Sequence, residues 1–501
     1  MKQVPLIIGG KEIIRSSFNN TSLFYGGYSY NIADAGMLEI AQAIGNARNA
    51  SRPSLDDRTR YLQKAADAFP YSDDDVEHAV RMLGMPISIV KGHFEQIPHI
   101  LRGISLSINS RFRPNNEFPH YAEKFDAGTH KILLPEEGFC YVVTPGNDVR
   151  AVAMVAANLC CLGLPFIIKA SKEDAVAPLV IKALIDGGFD PRFCNLVYFD
   201  ITAPDATKKH FKILDACSVI WTFGSDETVD RVLRYERIGK STYLDITDLI
   251  GSAEPDYSLL GAKLSGNVFS LKSRVFVKED IVDHFDGKKV LRHGCGNCAM
   301  VVAGAFDKTM AELLYQSFGY AIGCNAVKSV LVVGSSDWIS GAAMFLADLI
   351  TGDPLDPHTQ VGYVNPATLD YVAKQVRIHV SQLKALGGER LSAHQAKPLL
   401  IHANDYIPEF FGQEIPAYIL AVKSCQTIDN AIEEINAGAG KNQRLAVSFV
   451  NIGKPDVYSV LPKVKAHSIF INAPTTTVFP YFHEGNDYAL RLSKKKLVYQ
   501  K

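Results

Sequence analysis

The chain has 501 residues, 47% of them hydrophobic and 21% charged, a balance that predicts two or three globular domains with full-sized cores. Its formal net charge of -1 gives no electrostatic footing for nucleic acid or an anionic membrane. Nine scattered cysteines argue against a disulfide framework and for reduced thiols in a cytoplasmic setting.

The N-terminus, Met1-Lys2-Gln3-Val4-Pro5, shows no apolar signal region, and residues 6–14 read as a hairpin around Gly9-Gly10. Helical spacing follows at Leu38, Ala41 and Ile44, and again over 58–69. Residues 119–137 mix charged and apolar positions and read as an extended arm. After Gly138, strand and helix patterns alternate at 139–144, 149–162, 166–168, 175–186, 195–199 and 218–222, with a helix from about Asp226. That alternation predicts a parallel sheet with crossover helices. Residues 151–168 are apolar over nearly a membrane-spanning length. Gly163-Leu164-Pro165 divides the run into a buried helix and a short buried strand, so no membrane span is expected. Residues 235–290 hold short strand-like pieces and read as an elaboration of the first domain. A second alternating unit begins near Lys289 and runs to about 465. It includes a helix with Met310, Leu313, Leu314 and Ser317 on one face, and another with Ile428, Ala431, Ile432 and Ile435.

Cys324 stands where that first helix breaks, after Gly319 and Gly323 and before the β-rich run 327–333. A thiol at a glycine-lined break can sit at the floor of a cleft and act as a nucleophile, whereas the other cysteines read as small buried hydrophobes. Thr144-Pro145-Gly146-Asn147-Asp148 ends one strand and precedes a helix, at the kind of carboxyl edge where open α/β sheets bind ligands. Asn147 there reads either as a helix cap or as an amide donor to a developing oxyanion. Lys169 follows the next strand, with Lys172 three residues on. Gly224-Ser225 precedes a helix with Asp226 and Glu227 in its first turn, a cap and, less well, a phosphate site. The single Cys295-x-x-Cys298 lacks a second ligand pair, so no metal is expected. Gly294-x-Gly296-x-x-Ala299 is followed by a strand pattern, which excludes a dinucleotide fingerprint.

Taken in order, these segments resemble the aldehyde dehydrogenase superfamily, over most of the chain except about 235–290. The most specific piece is Gly352-Asp353-Pro354-Leu355-Asp356-Pro357-His358-Thr359-Gln360-Val361-Gly362, which is similar to the family's stretch after its catalytic cysteine. Glu409-Phe410-Phe411-Gly412 is similar to the family's E-x-F-G, and residues 484–496 to its last arm. The resemblance implies an α/β fold of two parallel-sheet domains and a small β oligomerisation arm. It divides the chain into a nucleotide-binding domain (1–118 and 138–290), a catalytic domain (291–465) and the arm (119–137 and 466–501), and implies a homodimer or homotetramer. It assigns Cys324 as nucleophile and Asn147 as oxyanion donor. It gives Thr144, Lys169, Lys172, Gly224, Ser225, Glu409 and Phe411 to a nicotinamide cofactor.

Two departures shape the expected reaction. Hydrolytic members carry Glu-Leu-Gly-Gly, whose Glu activates water, where this chain has His293-Gly294-Cys295-Gly296-Asn297. That segment looks more like the G-x-G-N of the CoA-acylating and fatty-acyl reductase branch. The family's C-terminal Pro-Phe-Gly-Gly loop is replaced by Val478-Phe479-Pro480-Tyr481-Phe482. The resemblance therefore implies interconversion of an aldehyde and an acyl thioester, with coenzyme A as co-substrate. Lys172, where NAD-preferring members often carry Glu, favours NADP(H) over NAD(H). Two alternatives stay open: hydrolysis to a free acid with His293 as base, or an inactive protein of the same fold.

Overall fold

The computed structural model describes residues 3–115, 118–126, 129–224, 288–293, 296–334, 337–439, 444–477, 481–483 and 486–499. The expected Ser225, the helix from Asp226 and most of the 235–290 elaboration lie outside them, as does Cys295.

The parallel strands of the first sheet are short and largely buried, Cys140–Val143, Cys194–Val197 and Val219–Phe223 at every position. Such strands carry apolar residues on both faces because helices cover both. Among the described residues the sheet has seven strands, in the order Lys289–His293, Val219–Phe223, Cys140–Val143, Phe166–Lys169, Cys194–Val197, Leu6–Ile8 and Lys11–Ile13. The first five run parallel, and the N-terminal hairpin adds the last two antiparallel. The apolar run resolves into the helix Ala151–Leu162 and the strand Phe166–Lys169. Gly163 ends the helix at φ 71°, and a Cβ there would stand 2.4 Å from the Arg58 guanidinium carbon, so only glycine fits. Among the described residues no helix is long and apolar enough to cross a membrane.

Against Ala151–Leu162 packs a 25-residue helix, Ile87–Arg111, that the sequence pattern did not reveal. Pro98 lies inside it, yet Phe94, Ile97, Leu101, Ile104 and Ile108 form one buried stripe. Burial of that stripe outweighs the hydrogen bond lost to proline.

The second sheet also has seven strands: Leu383–Gly387, Leu399–Ala403, Ile419–Cys425, Val327–Val333, Cys298–Ala303, Arg444–Val450 and Ala466–Ile471. All but the first run parallel. A separate antiparallel sheet joins Ser493–Tyr499, Thr129–Pro135, Phe118–Asp126 and Arg113–Asn115, so the arm around 119–137 pairs with the C-terminal strand.

Two expected boundaries move. Lys289–His293 pairs along its whole length with Val219–Phe223, so a division after residue 290 cuts through a strand of the first sheet. Ala466–Ile471, expected in the arm, pairs with Arg444–Val450 and closes the edge of the second sheet. The partner of the first strand lies 70 residues back (Val219 to Lys289) and that of the second 22 (Arg444 to Ala466), and pairing across either interval leaves no mark in local periodicity.

Candidate active site

One cavity of about 960 Å³ lies where the carboxyl ends of the first sheet's parallel strands meet the amino ends of the second sheet's strands. From the first side come Gly146 and Asn147 after Cys140–Val143, Lys172 after Phe166–Lys169, Gly224 after Val219–Phe223, and His293. From the second come Cys324 before Val327–Val333, Glu414 before Ile419–Cys425, and Leu445.

Cys324 is half-buried in the loop between the helix Lys308–Phe318 and the strand Val327–Val333. The loop is held from beneath by Lys328, whose buried ammonium donates to the Ala321 carbonyl at 2.5 Å and the Ala417 carbonyl at 3.2 Å. Burial lowers the Lys328 pKa to about 8, with Glu414 opposing the shift. Gly296 touches the same loop. A Cβ on it would stand 1.5 Å from the Cys324 carbonyl oxygen, so the two backbones meet only because residue 296 is glycine. Cys298 is fully buried beside them, its thiol 3.5 Å from the Cys324 carbonyl, and burial pushes that thiol far above its ordinary pKa. A thiol so placed is a poor nucleophile.

Asn147 is not a helix cap. Its Nδ2 donates across to the Ile322 carbonyl at 2.7 Å, two residues before Cys324. The turn into the helix Ala151–Leu162 is instead held by Asp148, whose Oδ1 accepts from the Arg150 N–H at 2.9 Å. An amide carries two N–H donors, so one remains beyond the bond to Ile322.

The residues expected to hold a cofactor divide into two groups. Lys172 and Gly224 line the cavity, and Gly224 has φ 150°. Gly146 joins them: a Cβ there would meet the Ser171 hydroxyl oxygen at 2.6 Å and a Glu173 carboxylate oxygen at 2.8 Å, so these side chains form a close cradle about the glycine that a larger residue would push aside. Thr144 is buried at the strand end, and neither it nor Lys169 lines the cavity. The Lys169 ammonium lies over the Phe199 ring, 5.6 Å from its centre, and burial lowers its pKa to about 8 while Glu173 opposes the shift. Glu409 and Phe411 also lie away from the cavity lining. A Glu409 carboxylate oxygen is 3.5 Å from His379 Nε2, and Phe411 is buried with its carbonyl accepting from Arg444 at 2.9 Å. The carboxylate that does reach the cavity is Glu414, whose Oε2 accepts from the Gly296 N–H at 2.6 Å. Sequence reasoning passed over it because a loop glutamate five residues after Glu409 carries no signal of its own.

His293 lines the cavity but is 2% exposed. Its ring stacks on Phe223 at 4.5 Å, and its Nε2 lies 3.2 Å from the Tyr488 hydroxyl. Burial lowers its pKa to about 3, so at neutral pH the imidazole is uncharged and a weak proton acceptor. No three His, Cys, Asp or Glu side chains among the described residues cluster to hold a metal ion.

No family model matches the chain, and no curated protein matches it. Solved structures do. A NAD-dependent benzaldehyde dehydrogenase from Corynebacterium glutamicum superposes with a TM-score of 0.74 at 14% identity, over 99% of this chain and 98% of that one. Aldehyde dehydrogenase 21 from Physcomitrella patens, in complex with its product succinate, gives 0.73 at 15% identity, over 100% and 98%. A NAD-dependent aldehyde dehydrogenase from Sinorhizobium meliloti gives 0.74 at 16% identity, over 100% and 95%. These likenesses span both sheets and the arm at identities that speak for architecture alone: the chain has the aldehyde dehydrogenase fold.

Proposed function

We propose that the chain is an NAD(P)-dependent oxidoreductase that interconverts an aldehyde and an acyl thioester through Cys324. The observation that carries this reading is the bond from the Asn147 amide to Ile322, which holds that amide and the Cys324 loop together at one cavity. In this reading the Cys324 thiolate attacks the substrate carbonyl carbon. The Asn147 amide and the Cys324 backbone N–H receive the negative charge that develops on oxygen. A bound nicotinamide supplies the hydride exchange. Lys172, the Gly146 cradle and Gly224 would hold the cofactor on the first-sheet side, with Glu414 facing it from the second. The acyl group then passes from Cys324 to a thiol such as coenzyme A. The weak basicity of buried His293 favours a thiol over water, because a thiol brings its own low pKa and nucleophilicity.

Hydrolysis is the second reading. It is favoured by one observation, that Glu414 brings a carboxylate to the same cavity as Cys324. A panel of aldehydes and acyl-CoAs with each nicotinamide, followed by absorbance of the reduced form, tests the reading. Nucleotide binding without turnover on any member would point instead to an inactive protein of this fold. By the same reading the antiparallel arm joins copies of the chain into a dimer or tetramer, which the mass in solution tests.

The cofactor preference rests on Lys172. Its exposed side chain offers a positive charge to a 2′-phosphate, while Glu173 beside it lines the same cavity with a negative one. Lys172→Glu is expected to shift the ratio of kcat/KM for NADP(H) over NAD(H) toward NAD(H) by about 10- to 100-fold, the worth of one charge-assisted hydrogen bond. A wild-type enzyme that already works better with NAD(H) would count decisively against the preference.

A further inference from the structure

Tyr320 stands four residues before Cys324, and its hydroxyl donates to the Asn147 carbonyl. The Asn147 side chain donates back to the Ile322 carbonyl at 2.7 Å. The two bonds span 173 and 175 residues of sequence and run in opposite directions between the same two loops. One loop follows a strand of the first sheet, and the other precedes a strand of the second.

The Tyr320 ring is fixed on several sides. The His93 ring meets it edge-on at 4.6 Å, and the Arg150 guanidinium lies 5.6 Å from its centre. Arg150 is itself held by Asp148 at 2.7, 2.9 and 3.2 Å and by Gln96 at 2.7 Å. A Cβ on Gly323 would meet the ring at 2.3 Å, so the loop wraps the ring only because residue 323 is glycine. Tyr320 is 5% exposed, and burial, with Asp148 adding to it, raises its hydroxyl far above the ordinary pKa. It therefore remains a donor at any working pH.

We propose that Tyr320 is a positioning residue for the oxyanion site: its hydroxyl, bonded to the Asn147 carbonyl, fixes the backbone from which the Asn147 amide meets the substrate oxygen. The inference rests on the reading that Asn147 is the oxyanion donor. A donor helps in the transition state only if its direction is set beforehand. An asparagine on a turn has two soft side-chain torsions and a backbone free to shift. The Tyr320 bond removes the backbone freedom, and the Ile322 bond sets the amide.

A double-mutant cycle tests this. Asn147→Ala is expected to lower kcat by roughly 100- to 1,000-fold, the usual loss for an oxyanion donor. Tyr320→Phe keeps the ring and removes the hydroxyl. It is expected to lower kcat about 10-fold with little change in the aldehyde KM, and to cost less than about 2-fold when Asn147 is already Ala. The rate of Cys324 alkylation by iodoacetamide should match wild type in Tyr320→Phe. An additive loss in the Asn147→Ala background, or wild-type kcat in Tyr320→Phe, would overturn the proposal alone. So would a Cys324 alkylation rate that falls together with kcat, because Tyr320 would then be placing the thiol. Wild-type kcat in Asn147→Ala would overturn the oxyanion reading itself and this inference with it.

Discussion

Cys324→Ala is expected to lower turnover by about 10⁴-fold or more while leaving cofactor affinity within roughly 2-fold of wild type. The size follows from chemistry. Covalent catalysis splits one difficult step into two easier ones, and no accessible thiol among the described residues is placed to take over the nucleophile's part. Cys298 is the obvious rival, being packed against the same backbone. It is fully buried, and its thiol is held well above its ordinary pKa, so it offers neither access nor thiolate. Cys298→Ala should keep most of the activity and cost stability instead, by leaving a small void in a packed cluster with Leu445, Ala446 and Phe470. Cofactor titration, thermal melts and steady-state rates on the two variants separate the outcomes. An inactive Cys298→Ala beside an active Cys324→Ala would show the nucleophile to be misassigned.

Aldehyde oxidation without an added thiol is expected to stop after a burst of about one equivalent of reduced nicotinamide per active site, and to resume when coenzyme A is added. The burst reports formation of the Cys324 thioester, and the stall reports the lack of an acceptor. His293, which the sequence resemblance sets where hydrolytic members carry Glu, is buried, uncharged at neutral pH and stacked on Phe223. Water at Cys324 would thus have no base at that position. A rate enhancement of about 10²- to 10⁴-fold from general base catalysis would be missing, which is enough to turn steady turnover into a stall. Glu414 is the group that would reverse this outcome, since it reaches the cavity and is held by the Gly296 N–H. Rapid mixing with product analysis decides. Unchanged steady turnover to free acid without any thiol would end the acylating reading. Loss of that turnover in Glu414→Gln would then name the base.

The alternation of apolar runs and helical stripes was enough to reveal two parallel-sheet units, because a strand buried on both faces and an amphipathic helix each leave a local signature. The places of Cys324 and Asn147, each at a break between a helix and a strand with glycines beside it, were legible for the same reason, but the roles proposed for them came from the resemblance, and Asn147 read also as a helix cap. The extended arm at 119–137 was visible too, and the resemblance grouped it with residues 466–501, but its pairing with Ser493–Tyr499 came only with the structure. Other features depended on where distant segments meet. Ala466–Ile471 was expected in the arm and pairs instead with Arg444–Val450. Glu409 and Glu414 are two glutamates of one loop. The short helix Pro408–Phe411 leaves the first beside His379, and the chain beyond Gly412 brings the second to the Gly296 N–H. His293 looks like an available base in sequence and becomes a buried ring only when Phe223 and Tyr488 close on it. Local pattern reports which face of a segment seeks burial. Desolvation, hydrogen-bond partners and the choice between two like side chains belong to the packing of segments that are not neighbours in sequence, as where Phe223 and Tyr488 close on His293, and those only the tertiary structure decided.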